Sequence, residues 1–222
     1  MKTQIQGPVE WPSGGDRNLV LSQDMAVELG SPNDESVSFL IWRDDDGRVH
    51  DRCISTVGPD LPESVNKHLP FGKVVMIAGR NFSADNAYTR YREMEGLRYD
   101  VNLQGYMMRA VSQYLREWSR VSREAIERGF SLRILGADLI DRYHALDYVT
   151  AVEIIFVTSS RDDVLTLKKI GAKSARIISA MNKMAEELSF DCDTCEYMDV
   201  CQDVGALRSM RNSIKGDSWE NV

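Results

Sequence analysis

The sequence predicts an α+β fold: a mixed sheet packed with several helices, followed by a small cysteine-rich, metal-binding appendage. Three observations carry that expectation. Two short apolar runs, Lys73 to Gly79 and Val152 to Val157, have the length and β-branched content of buried strands. Stretches with apolar residues at three- and four-residue steps surround them, as amphipathic helices require. Near the C-terminal end, Cys192, Cys195 and Cys201 crowd into ten residues. The expected division is an α+β domain over 1–188 and a cysteine-rich segment with a loose tail over 189–222.

Taken in order, residues 18–29 and 36–43 are rich in β-branched and aromatic side chains and read as extended. The acidic turn at 44–47 leads into residues 48–55, so the spacing predicts a hairpin. Gly58, Pro59 and Pro62 break the chain before the buried strand at 73–79. From about Ser83 to Leu115 there is no proline, and Leu103, Tyr106, Met107, Ala110, Val111 and Tyr114 recur at helical spacing, which predicts one long helix. Ser122 is a candidate N-cap and Gly129 a candidate stop for a short helix, and a second helix is expected from Leu132 to about Leu146. The stretch from Tyr148 to Thr158 is the strongest strand and belongs in the middle of its sheet. Ser160 can cap a helix running from Val164 to Leu188, with a break expected at Gly171, and a short basic helix is expected over 203–214.

Composition narrows the function classes. A net charge of −7 argues against a general nucleic-acid binder, and no run of apolar residues is long enough to span a membrane. The first residues have no apolar core of the secretory kind, which places the expected setting in a reducing cytoplasm. There, clustered cysteines favour a metal over a disulfide. In C-x2-C-x5-C, two thiolates on one turn reach a single iron or zinc, and the third closes a face of the coordination shell. An iron-sulfur cluster is the first expectation and zinc the alternative. The fourth ligand stays open among Cys53, His50, His68, His144, Asp191, Asp193, Asp199 and a position left to water or substrate.

A second pattern lies in the middle of the chain. Between Arg80 and Arg142 there are eleven arginines and no lysine, against nine acids, so a basic island sits in an acidic protein. The planar guanidinium grips phosphate or carboxylate at two points, which suits a phosphorylated ligand or an ion-paired partner surface. Ordinary pairs along solvated helices, such as Arg120 with Glu124, account for the same residues equally well. No Walker loop, histidine-bearing metalloprotease helix or nucleophile elbow is present.

The residues from Gln113 to Phe130 (QYLREWSRVSREAIERGF), followed by a helix and then Val152 to Thr158 (VEIIFVT), resemble the non-catalytic middle region of the acetyl-CoA synthase (beta) subunit of CO dehydrogenase/acetyl-CoA synthase. Met25 to Pro32 (MAVELGSP) and Val57 to Leu61 (VGPDL) extend the resemblance to roughly residues 15–170. It implies partner subunits of a one-carbon or redox complex, an anaerobic setting and a coenzyme A-associated region. Trp118 and Arg120 match the family's Trp-x-Arg step, so Arg116, Trp118, Arg120 and Arg123 become candidate coenzyme A contacts, with the indole against adenine and the guanidinium groups against phosphates. Cys192 and Cys195 occupy the place of the C-x2-C that opens the family's nickel-iron-sulfur site. The family's third cysteine lies farther along than Cys201, and its later Cys-Gly-Cys has no counterpart in this sequence.

Two function classes follow. One is an accessory or truncated acetyl-CoA synthase-like subunit, able to self-associate, that carries a cluster and contacts partners or coenzyme A. The other is a stand-alone metal-dependent enzyme with an open coordination position, for which Asp191, Glu196 or Asp199 would supply a base.

Overall fold

The computed structural model describes residues 25–30, 36–44, 47–63, 68–110, 117–186 and 195–217. The fold is α+β, with two mixed four-stranded sheets where one was expected. In chain order the strands are β1 (Ala26–Leu29), β2 (Ser36–Asp44), β3 (Cys53–Val57), β4 (His68–Leu69), β5 (Phe71–Gly79), β6 (Tyr106–Ala110), β7 (Trp118–Ser122) and β8 (Val149–Val157). The helices are α1 (Ala87–Gly96), α2 (Arg123–Glu127), α3 (Leu132–His144), α4 (Arg161–Glu186), α5 (Met198–Asp203) and α6 (Gly205–Asp217). One sheet has the order β4-β1-β7-β6 and the other β2-β5-β8-β3.

The second sheet is built on its two most apolar strands. β5 and β8 pair antiparallel at its centre, β2 runs parallel to β5 and β3 parallel to β8. On one face Phe71, Val75, Ile77, Val152, Ile154 and Phe156 meet Leu135, Leu139 and Tyr143 of α3, together with Val27, Leu29 and Val121 of the first sheet. On the other face Val37, Phe39, Val74 and Val157 meet Val164 of α4. With both faces covered, the two middle strands are nearly continuous in apolar residues, which is why they were legible as strands.

Several expectations hold. Ser122 accepts a hydrogen bond from the Ala125 amide and caps α2, Gly129 ends that segment at φ +98°, and α3 falls where expected. The Ser160 hydroxyl accepts from the Asp163 amide at the start of α4.

Others are corrected. Residues 36–55 are not a hairpin: β2 and β3 lie at opposite edges of their sheet, each drawn to a different apolar strand. The long helix expected over 83–115 stops at Gly96, and Tyr106 to Ala110 pair with β7 instead. Gly105 explains the change of course. Its φ is +79°, and a Cβ there would come within 2.5 Å of Ala125 Cβ, so the chain turns sharply against α2 and enters β6 extended. The apolar residues read as one helical stripe serve a strand, because pairing with β7 outweighs a local preference. Gly171 breaks nothing: α4 runs through it, with the glycine buried on the helix's inner side. A single interior glycine costs about 1 kcal/mol, which the long apolar face of α4 offsets.

The C-terminal part, where described, is packed rather than pendant. Val200 and Cys201 of α5 and Ala206 and Leu207 of α6 form a small apolar cluster with Ala87 of α1 and with Ala180, Met181 and Met184 of α4. The strand expected before Met25, the tail after Asp217 and the stretch 187–194 lie outside the described residues.

Candidate functional site

Two of the three clustered cysteines, Cys195 and Cys201, are within the described residues; Cys192 lies outside them. They flank a turn that α4 holds from outside. Arg176 donates to Asp199 Oδ1 at 2.7 Å and to the Glu196 carbonyl at 2.9 Å, and Lys173 reaches Asp203 at 3.0 Å. The Arg176 guanidinium and the Lys183 ammonium each stand 5.7 Å from the centre of the Tyr197 ring. The Cys195 sulfur is half-buried and accepts a hydrogen bond from the Tyr197 amide at 3.4 Å. Cys201 differs, being only 4% exposed inside the apolar cluster, where a thiol packs as a small hydrophobe. In chemistry Cys195 suits a cluster ligand, while Cys201 could reach one only from within that packing. Among the described residues no three His, Cys, Asp or Glu side chains are grouped to hold a metal.

The arginine candidates are placed differently from expectation. Trp118 and Arg120 follow no helix; they occupy alternate positions of β7 and therefore share one sheet face, with the guanidinium 5.7 Å from the indole centre. Arg120 is buried and grips Glu28 on β1 through both Nε, at 2.7 Å, and Nη2. Glu28 and Arg120 are also register partners, so the ion pair is a cross-strand rung. Arg123 stands apart as the first residue of α2, half-buried, and Arg116 lies outside the described residues. The structure thus brings Trp118 and Arg120 together and commits Arg120 to a carboxylate of the same sheet.

A third group was not anticipated. Lys73, 2% exposed in the middle of β5, donates to the Glu117 carboxylate, 0% exposed at the entrance to β7. Arg98, in the 3-10 turn after α1, pairs with Glu95 beside them. Burial alone would raise the Glu117 carboxyl, but Lys73 and Arg98 more than offset it and hold it below its ordinary value. For Lys73, burial lowers the ammonium and Glu117 only partly restores it; for Glu95, burial raises the carboxyl against the pull of Arg98 and Lys73. Burial likewise pushes the Tyr91, Tyr106 and Tyr143 phenols up, with nearby carboxylates adding to the shift. One signal in the sequence could have found this group: a lysine inside an otherwise apolar strand has to meet a buried acid.

The family model of the CO dehydrogenase/acetyl-CoA synthase complex beta subunit matches residues 10–164. That span contains both sheets and Cys53 and ends before the three clustered cysteines. The carbon monoxide dehydrogenase/acetyl-CoA synthase subunit alpha of Moorella thermoacetica is 24% identical over 163 residues, covering 73% of this chain and 22% of the relative. The acetyl-CoA decarbonylase/synthase complex subunit beta of Methanopyrus kandleri is 27% identical over 158 residues, covering 70% of this chain and 32% of the relative. The chain therefore spans between a fifth and a third of the curated relatives it matches.

Proposed function

The chain belongs to the CO dehydrogenase/acetyl-CoA synthase complex beta subunit family, and from that premise we propose that it acts as an accessory or truncated acetyl-CoA synthase-like subunit of a one-carbon assembly, contributing protein contacts rather than an acetyl-forming site. The observation that carries this reading is the extent of the family match. It covers the two-sheet body over residues 10–164, and both curated relatives that match this body are named as subunits of a CO dehydrogenase/acetyl-CoA synthase or acetyl-CoA decarbonylase/synthase assembly. The body itself supports a positioning role, because its buried charges are neutralised by partners within it: Lys73 by Glu117, Arg98 by Glu95 and Arg120 by Glu28.

A cluster, iron-sulfur before zinc, is assigned to Cys192, Cys195 and Cys201. It would supply one-electron transfer between subunits if iron-sulfur, or a structural tie if zinc. The amide donated to the Cys195 sulfur supports that assignment, since hydrogen bonds to cluster sulfurs are part of how proteins tune them. A coenzyme A contact at Arg116, Trp118, Arg120 and Arg123 asks more of the protein. Arg120 would have to share or leave Glu28 to take part.

The test is reconstitution from purified components. Mixed with a CO dehydrogenase subunit, a corrinoid protein and a methyltransferase from the same source, the chain is expected to elute in a stoichiometric complex with at least one of them. Supplied alone with nickel, CO, a methyl donor and coenzyme A, it is expected to form no acetyl-CoA. Failure to associate with any of the three, or robust turnover by the chain alone, would overturn the reading.

A further inference from the structure

The edge strand β2 borders a small internal space that no part of the proposed function uses. Ser38, Phe39 and Leu40, three consecutive residues, all line it, which places it against the outer edge of β2. Its volume is about 20 Å³, enough for about one water molecule or a single ligand oxygen. Buried Lys73, Arg98 and Tyr143 form its inner side, and half-exposed Tyr91 and Glu95 of α1 and Ile178 of α4 form its rim.

The polar lining is unbalanced. Lys73 carries three N–H donors, of which the Glu117 contact takes one, and the Tyr91 and Tyr143 hydroxyls add further donors, while the Ser38 hydroxyl is already spent on Glu117. Arg98 is 8% exposed, and its Nε–H is buried with no hydrogen-bond partner among the described residues. Against these, Glu95 is the only carboxylate among the described residues of the lining, and it is already paired with the far end of Arg98. A buried donor left unmatched costs about 1–3 kcal/mol, so such a space favours an acceptor. An aliphatic ligand would leave Arg98 Nε–H unmatched. A cation would face Lys73 and Arg98.

We propose that this space is a binding site for a small monocarboxylate, one oxygen of which enters between Arg98, Lys73 and Tyr91 while the rest of the molecule lies at the rim between α1 and α4. A planar carboxylate suits it better than a tetrahedral phosphate, because only one oxygen has to pass the rim. Glu95 is the built-in competitor: the same guanidinium serves the protein's own carboxylate until an outside one arrives.

The experiment uses the full chain and formate, chosen as the smallest carboxylate. The Arg98 Nε–H resonance is followed in proton-nitrogen correlation spectra during titration with formate, phosphate or chloride at constant ionic strength. Formate is expected to move that resonance saturably, and phosphate and chloride to leave it in place. Glu95→Gln, which removes the competing charge, is expected to tighten formate about tenfold, and Tyr91→Phe, which deletes one rim donor, to weaken it about threefold to tenfold. A purely structural role for Glu95 would not produce tighter binding. Should formate leave the resonance unmoved up to about 100 mM, near the weakest affinity a single charged contact would give, or should Glu95→Gln not strengthen binding, no carboxylate site exists here. A response to phosphate but not formate would overturn the carboxylate assignment.

Discussion

Lys73 and Glu117, forty-four positions apart, close a fully buried ion pair that ties the centre of one sheet to the residue leading into β7 of the other. Glu117 also feels Arg98, and Lys73 feels Glu95, so the four charges form one neutral group inside the protein.

Removing one member should therefore cost more than removing two. Glu117→Leu leaves Lys73 and Arg98 facing only Glu95, and a loss of about 3–5 kcal/mol is expected. Lys73→Met should cost less, because Arg98 remains beside Glu117. Replacing both Lys73 and Glu117 by apolar residues of similar volume should recover most of the loss. Urea unfolding of the four proteins in a double-mutant cycle gives the coupling directly. Additive single effects would show that the pair is not coupled.

The pH dependence follows from the same group. Glu117 has its carboxyl held below the ordinary value of 4.5, so its stabilisation is present above that value and is lost as pH falls through the folded one. Glu95 is shifted upward, so its contribution has the opposite sign: ionising it costs stability as pH rises from 4.5 through its folded value. Glu117→Gln should flatten the acid side of the stability curve, and Glu95→Gln should remove the opposing slope. Urea midpoints between about pH 3 and about pH 7 separate the two, because a carboxyl whose folded and unfolded pKa values differ by one changes stability by about 1.4 kcal/mol across that interval.

Arg120 offers a test of geometry at constant charge. Arg120→Lys keeps a cation opposite Glu28 but cannot reproduce the Nε and Nη2 contacts, and a loss of about 1–3 kcal/mol is expected from weakening a buried, charge-assisted bond. If coenzyme A uses this face, it should quench the fluorescence of Trp118, less so at high salt, and Trp118→Phe should abolish that part of the signal. Calorimetry showing no coenzyme A binding would leave the face as a structural rung alone.

Protein purified without oxygen should carry iron with acid-labile sulfide, or else zinc, bound through Cys192, Cys195 and Cys201. Chelation or Cys195→Ala should remove the metal and raise amide exchange over 195–217, because metal binding and local order are linked. The two-sheet body should keep its protection, since its core contains none of the three cysteines. Absence of iron and zinc alike, with all three thiols freely alkylated, would dismiss the assignment.

What the sequence determined by itself was local and one-dimensional. The apolar runs of β5 and β8, the serine caps at Ser122 and Ser160, the stop at Gly129 and the family resemblance all rest on residues close together in the chain. Tertiary structure decided what depends on distant partners. It sent β2 and β3 to opposite edges because two central strands competed for them, and it turned Tyr106 to Ala110 into a strand because β7 was there to receive it. It also bound Arg120 to Glu28 and Lys73 to Glu117, and placed Cys201 inside an apolar cluster. A side chain's type states what it can bond. Burial beside one particular partner decides what it does bond, because an unpaired charge is tolerable in water and costly inside.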